Sequence, residues 1–472
     1  MNAPAAIQRL PAVLYAPDGS RRVDYRAVFA LAWPLVLNFS LQAVLSLTDV
    51  WFLGRLSTNA LAAVGAIHFL VFIFIVLLGG VGQAVQTLAA QAWGAGARSR
   101  AANYAWNGLW ASVATVPIFV ALAYSGPFVL APFGLEAELN ALALEYWFPR
   151  LITGSVATAL WGMGGFFNGI GRTRVALMVG VLVMLANVGL NQLFIFELGL
   201  GVAGAGWATG AAQLAGMAIY LGVLLAARGE GLRARGVVRP RAGRIWKLFA
   251  LGVPMGLAGS FDIAGFAMFQ LMLARYGAVE SAASQVVMML TSLCYMPMVG
   301  MALVGTTLVG QSIGAGDRDW ARTTGNAVIR IGVVFMGAMG LLLALTGEWV
   351  VPFFAHAQDA GGDAARALGR ELLWIAAAYQ VFDALNMGCG FCLRGAGDVR
   401  FPAIMLIVLS LGLFVPATHM LVFEPGQGLV DFLPQFGLGA HGAWYAAVGY
   451  IVLLGGAMLL RWRSAAWQKM VL

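Results

Sequence analysis

Charge is what this 472-residue chain has least of: Asp, Glu, Lys and Arg together make up 10% of it, against roughly 25% in soluble globular proteins. A chain so poor in charge and 61% hydrophobic cannot clothe itself for water. An ordinary soluble enzyme is therefore excluded, and most of the surface must face lipid. Cysteine is almost as scarce. Cys294, Cys389 and Cys392 are the only three, and all lie in apolar stretches. Cys389-x-x-Cys392 lacks the βαβ surroundings of a redox pair, so all three read as packing residues. His68 and His419 stand alone in apolar runs with no metal-ligand spacing between them, and read as hydrogen-bonded core residues. The first 26 residues carry no hydrophobic leader or cleavage site and read as a polar cytoplasmic extension.

What the chain has in abundance is apolar runs of about 20 residues or more, the length that crosses a hydrocarbon core as helix. Only helices and closed barrels satisfy their backbone in lipid, and these runs are far longer than barrel strands. Twelve spans are expected, near 27–54, 61–92, 101–132, 139–168, 173–197 and 201–227, then 245–274, 281–312, 323–354, 371–393, 400–423 and 440–461, with a break possible at Pro149 in the fourth. The fold class is an all-α polytopic membrane protein: an N-lobe over 27–227, a basic linker over 228–244, a C-lobe over 245–461 and a tail over 462–472.

The net charge of +8 is placed asymmetrically. Of 28 Lys and Arg residues, all but Arg55, Arg150, Arg275, Arg366 and Arg370 fall beside segments on one side of this arrangement. That asymmetry marks the cytoplasmic side, puts both termini there, and explains the charge without nucleic acid. The densest cluster, Arg228, Arg233, Arg235, Arg239, Arg241, Arg244 and Lys247, reads as an inner-leaflet anchor between the lobes.

The two lobes are a repeat. Phe29-Ala30-Leu31 and Pro34 recur 220 positions on as Phe249-Ala250-Leu251 and Pro254. The same offset maps Arg55 on Arg275, Thr87 on Thr307, Gln91 on Gln311, and Gly94-Ala95-Gly96 on Gly314-Ala315-Gly316. Later Gly169, Gly171 and Arg174 match Gly395, Gly397 and Arg400, and Gly201 and Gly204 match Gly439 and Gly442. The offset grows between these two sets, which places an insertion near Glu424 to Gln435. A six-span unit returns the chain to its starting side, so the lobes are related by a pseudo-two-fold axis along the membrane normal, with a cleft between them.

Three acids fall deep in spans: Asp49, Asp262 and Asp383. A charge there costs on the order of 3 kcal/mol on insertion scales, so each needs a partner, a wet cavity or a proton. A carboxylate that trades a proton for another cation is what a coupled antiporter requires. Asp383 shares a helix face with Tyr379 and Asn386. Asn187 and Asn191 share a face of the fifth span, and two readings stand side by side: with Asp49 and Thr209 they offer oxygen ligands that suit Na⁺, or as an Asn pair they hold neighbouring helices together. Gln285 and Asn386 are further candidates for a substrate cavity. Gly199-x-Gly201-x-x-Gly204 spells a dinucleotide fingerprint, but it joins two spans with no strand before it and reads as a tight, closely packed turn.

Taken together, these residues resemble the multidrug and toxic compound extrusion (MATE) family, bacterial NorM branch, across about 27–461. The resemblance is carried by Pro34 and Thr48-Asp49 in the first span, the two Gln-x-x-Gly-Ala-Gly turns at Gln91 and Gln311, Gly201-Val-Ala-Gly-Ala-Gly, and Leu393-Arg-Gly-Ala-Gly-Asp-Val-Arg400. It implies a V-shaped pair of lobes in a bacterial cytoplasmic (inner) membrane, monomeric and without cofactor, exporting bulky, often cationic compounds in exchange for Na⁺ or H⁺. The family's first-lobe cation site falls on Asp49, Asn187, Asn191 and Thr209, its second-lobe acid on Asp262, where Glu is usual, and its tenth-helix pair on Tyr379 and Asp383. Position 191 is commonly Asp in the family; Asn here removes a charge and leaves the coupling ion open between Na⁺ and H⁺. The rival within the same superfamily is a lipid-linked oligosaccharide flippase, which would need a cationic cavity. An intramembrane enzyme and a channel fit less well.

Overall fold

The computed structural model describes residues 10–226, 238–354 and 362–470. A small antiparallel hairpin, β1 (Val13–Tyr15) and β2 (Arg21–Val23), precedes the first span; it is the one departure from an all-helical chain among the described residues. Asp24 then caps α1 (Tyr25–Leu56) by accepting the N–H groups of Arg26 and Ala27, which satisfies two of the donors a helix start leaves open. There follow α2 (Thr58–Gly94), α3 (Arg98–Tyr124), α4 (Gly126–Leu130), α5 (Ala137–Ile152), α6 (Gly154–Gly169), α7 (Thr173–Asn191) and α8 (Gly201–Ala226). The second lobe comprises α9 (Ala242–Tyr276), α10 (Ala278–Gly314), α11 (Arg318–Leu345), α12 (Gly347–Phe354), α13 (Gly362–Ala396), α14 (Arg400–Leu409), α15 (Val415–Val422) and α16 (Gly439–Arg463).

Ten of the described helical segments are long and apolar enough to span a membrane, and the chain is a multi-pass membrane protein. The expected fourth and tenth spans fall outside that ten for identifiable reasons. The fourth is broken, at Thr153 rather than at Pro149, into α5 and α6; Thr153 Oγ donates to the carbonyl of Pro149 at 2.7 Å and holds the joint. The tenth, α13, starts nine residues earlier than expected, with charges in its first turns, and its body carries Tyr379, Gln380, Asp383 and Asn386, whose polarity lowers its hydropathy below that of the other spans. Two other spans end early. Gly126-Pro127 stops α3 at Tyr124, and Thr346 separates α11 from α12. The expected insertion is an irregular loop after α15. His419 holds it, its Nε2 accepting the N–H groups of Leu429 (2.9 Å) and Val430 (3.3 Å). Arg228, Arg233 and Arg235 of the basic linker lie outside the described residues.

The sequence repeat reappears as reciprocal contacts across the seam between lobes. Gln91 Nε2 donates to the carbonyl of Gly395 (2.9 Å), and Gln311 Nε2 donates to that of Gly169 (2.7 Å). Thr87 donates to Arg394 O and Thr307 to Asn168 O, each at 3.0 Å. A Cβ added to Gly94 would lie 1.9 Å from Gln311 O, and one added to Gly314 would lie 2.0 Å from Gln91 O. Glycine is required here because two backbones touch. Gly80 likewise meets the backbone of Gly252 and Gly256, and Gly300 that of Leu35 and Val36. These contacts join the starts of α1 and α9 to the ends of α2 and α10, so the lobes are closed at the end where the first span begins. The inter-lobe hydrogen bond farthest from that end among the described residues runs from Ser260 Oγ to Ile73 O (2.9 Å). Asp262 lies two residues beyond it.

Candidate functional site

In the N-lobe, Asp49 of α1 meets the end of α7 and the middle of α8. Asn191 Nδ2 donates to Asp49 Oδ1 at 2.7 Å and to Asn187 Oδ1 at 3.0 Å, and Asn187 Nδ2 donates to Thr209 Oγ at 3.3 Å. The four residues expected together from the sequence are thus one hydrogen-bonded chain. Asn187 and Asn191 are buried and Asp49 half-buried. Immediately after Asn191 the helix widens into a π segment, Gln192–Glu197, an irregularity common at functional sites. Asn191 turns its amide donors toward Asp49, and its own Oδ1 is buried with no partner. This donor set suits a carboxylate acceptor better than a cage of oxygens around a metal ion.

Arg150 was not expected here; its position along the chain assigns it to the far side of the membrane. The break at Thr153 instead turns the end of α5 into the lobe. There Arg150 packs its stem against Gly206 of α8, shares a hydrogen bond with Tyr146 and acts electrostatically on Asp49 and His68. Its Nε and Nη1 are buried and have no acceptor. The missed signal was Pro149 next to Arg150: a helix that lacks one backbone donor bends, and a bent span re-aims the charge beside it. His68 also departs from expectation. It is an exposed ring stacked on Phe72, 6.3 Å between centroids, because its face of α2 is left uncovered.

In the C-lobe, Asp262 of α9 accepts a hydrogen bond from the Tyr450 hydroxyl of α16 at 3.0 Å. Asp383 of α13 is 7% exposed and accepts a long bond from Asn386 Nδ2 at 3.4 Å. The two carboxylates interact electrostatically with each other. Among the described residues neither has an ion-pair partner; Arg394 acts on Asp262 electrostatically without pairing with it, and its guanidinium lies over Phe391, 4.4 Å from the ring centroid. Tyr379 stacks on Trp444 at 6.1 Å and bonds to Thr291. A second π segment, Ser410–Phe414, abuts this site: Ser410 Oγ donates to Phe261 O at 3.2 Å. Tyr450 escaped the sequence reading, although a phenol in an apolar span needs a partner for its hydroxyl. Gln285 is exposed on α10, and no hydrogen bond ties it to either acid.

The two clusters are not copies of one another. Where the N-lobe has Asp49 the C-lobe has Phe269, packed against Phe414 and Trp444, and where the C-lobe has Asp262 the N-lobe has Gln42. Other motifs settle into structural parts. The three cysteines are free and buried. Gly199 and Gly201 take left-handed φ values of +64° and +55°, and Gly204 packs on the backbone of Phe194. Among the described residues no group of three or more His, Cys, Asp or Glu could hold a metal.

A MatE family model matches residues 34–193 and 254–418, one stretch in each lobe. The chain is 30% identical to a probable multidrug resistance protein NorM of Rhodopseudomonas palustris, covering 98% of this chain and 96% of that one. It is 29% identical to a protein of the same description from Burkholderia pseudomallei, covering 92% and 91%. Among solved structures it resembles the outward-facing conformation of a multidrug resistance MATE family transporter, with a TM-score of 0.81 over 94% of this chain and 96% of that one at 21% identity.

Proposed function

This chain belongs to the MATE family of transporters and is not an enzyme, and from that premise we propose that it is a secondary active efflux pump of the NorM kind. It exports bulky, often cationic organic compounds from a bacterial cytoplasmic membrane in exchange for Na⁺ or H⁺. The observation that carries this reading is the pair Asp262 and Asp383: two carboxylates, close enough to repel, at and beyond the level where the lobes part, and without a cationic side chain paired to either. Such groups in an apolar interior require a mobile positive charge. A proton, a Na⁺ ion or a cationic substrate can each supply it, and competition among them is antiport.

The cycle follows from that competition. With the positively charged end of the bundle in the cytoplasm, the described conformation is open outward. Cation binding neutralises the acids, weakens their hold on the substrate and releases it. The lobes then rock closed on the outside and part along the Gly94–Gln311 and Gly314–Gln91 seam. The cation leaves inward and the re-formed charge draws in the next substrate. Asp49 is the third coupling carboxylate; Arg150 beside it and Asn191 in its ligand set both weigh against Na⁺ in that lobe and toward a proton. Asn386 orients Asp383, Tyr379 stands in electrostatic reach of it, and Gln285 lines the route. A flippase is less well supported, since Arg150 and Arg394 are single cations in separate lobes and not the clustered charge a pyrophosphate requires.

The test is cationic dye efflux from vesicles under imposed Na⁺ or H⁺ gradients, comparing Asp49→Asn, Asp262→Asn and Asp383→Asn. Gradient-driven efflux should be lost in the two C-lobe variants and impaired in the first. Normal efflux in all three, at normal expression, removes the carboxylate mechanism.

A further inference from the structure

A groove of about 500 Å³ opens on the outer face of the C-lobe, between α11 and α16, with Leu385 of α13 among its lining residues. Its walls divide sharply by chemistry. Arg322 and Arg330 of α11 and Arg463 at the end of α16 line it with Asn326, while Ile329, Val333, Val334 and Leu459 continue it along the helices. No carboxylate lines it, and among the described residues none lies within ion-pair distance of these three guanidinium groups. Among the described residues Arg322 reaches only the carbonyl of Arg463, at 3.4 Å.

The groove is built. Trp462, 1% exposed, packs its ring over Gly325 and stacks on Trp467 at 4.5 Å between centroids. Its indole N–H donates to Asn326 Oδ1 at 2.8 Å, which fixes that amide and leaves its own donors unengaged. All three arginines are exposed, as is Val334 at 71%, so the surface faces the bilayer and not the interior of the bundle.

Depth sets the chemistry of the occupant. Arg322 is in the second turn of α11 and Arg463 is the last residue of α16, so both sit at headgroup level at the positively charged end. Arg330 lies eight residues farther along α11, about 12 Å deeper. An arginine that faces lipid at that depth without a carboxylate must snorkel back or draw a phosphate down to it. The apolar stripe beyond it, Val333 and Val334, is where an acyl chain would continue.

We propose that this groove is a specific site for an anionic phospholipid, whose phosphate is held by Arg322, Arg330 and Arg463 with Asn326 and whose acyl chain lies along Val333, Val334 and Leu459. The charge is complementary to one class of headgroup, and the continuous apolar wall selects a lipid over a free phosphate. The site is separate from the acids of both lobes, and it stands whether or not those acids couple transport.

The test uses the purified full chain in mild detergent, supplied with phosphatidylglycerol or cardiolipin, with phosphatidylcholine, or with inorganic phosphate. Thermal stability and retained lipid by native mass spectrometry are both read. The anionic lipids should raise the melting temperature and be retained, the other two should do neither, and Arg322→Gln/Arg330→Gln/Arg463→Gln should cut retention at least about fivefold. Arg330→Gln alone, an exposed single change, should lower retention in the same direction and covers the case in which the triple variant does not express. Equal retention in Arg330→Gln and wild type, an equal response to phosphatidylcholine, or reproduction of the shift by inorganic phosphate would each overturn the proposal.

Discussion

Replacing Gly94 by alanine tests the seam with the smallest possible perturbation. The added carbon would sit 1.9 Å from Gln311 O, 2.6 Å from its carbonyl carbon and 2.7 Å from its Cα. All three are backbone atoms of a long helix, so no side chain can swing away and the two helix ends must separate. Overpacking of this kind costs about 1–3 kcal/mol. If that cost falls only on the closed seam, the balance shifts about 5- to 150-fold toward the state in which the ends are apart. Gly314→Ala should do the same, its carbon falling 2.0 Å from Gln91 O, and the pair should be less than additive because the first change already parts what the second would strain. The readout is labelling by a water-soluble maleimide of a cysteine at Thr307, which is 1% exposed and lies at the seam, with Cys294, Cys389 and Cys392 replaced by alanine. Faster labelling in each single variant and a sub-additive double are expected. Wild-type labelling in Gly94→Ala would refute both the reciprocal seam and its role as the moving contact.

Three further outcomes follow from particular contacts. Arg461 binds Asp398, 1% exposed, at 2.7 Å; Arg461→Ala strands that carboxylate and should cost about 3–5 kcal/mol, read as a lower melting temperature and yield, with Arg461→Lys intermediate. Tyr450→Phe removes only the 3.0 Å bond to Asp262, worth about 1.5–3 kcal/mol to a charged acceptor; efflux should fall by about tenfold or more at normal expression, and unchanged efflux would mean that Asp262 does not depend on that donor. Arg150→Gln removes the charge beside Asp49, so Na⁺-dependent thermal stabilisation should appear in the variant and vanish again in Arg150→Gln/Asp49→Asn; an equal Na⁺ response in the wild type would contradict the reading of that lobe.

The repeat was legible in the sequence because a seam made of backbone contacts tolerates only glycine and small polar groups, and these recur at a fixed offset. Gln91 and Gln311, Thr87 and Thr307, and Gly94 and Gly314 are matched letters first and matched hydrogen bonds second. Asp49, Asn187, Asn191 and Thr209 stood out in the sequence as polar groups in apolar spans, but choosing between a shared site and separate interhelical contacts took the family resemblance, since nothing in the periodicity of an apolar helix states which neighbour a polar residue will face. The same limit hid Tyr450, whose partner lies 188 residues away, and Arg150, whose depth depends on a helix break that came four residues after the proline that suggested it. The N-terminal hairpin was hidden for another reason. Its strands are three residues each, too short to carry a pattern, and they are held from outside: Trp320 donates its indole N–H to Pro11 O at 3.0 Å, and Arg21 pairs with Asp317. Asp317 also caps α11 through the N–H of Trp320, so the segment before the first span is pinned to the C-lobe.

The claim on which the account rests is that substrate and coupling cation compete for the same carboxylates. The most direct measurement is the affinity of the purified protein for a fluorescent cationic substrate as H⁺ and Na⁺ concentrations are varied separately. Affinity should fall as the coupling cation rises, and Asp262→Asn/Asp383→Asn should bind weakly and without that dependence. A substrate that binds the double variant as tightly as the wild type, with the same response to the cation, would contradict it.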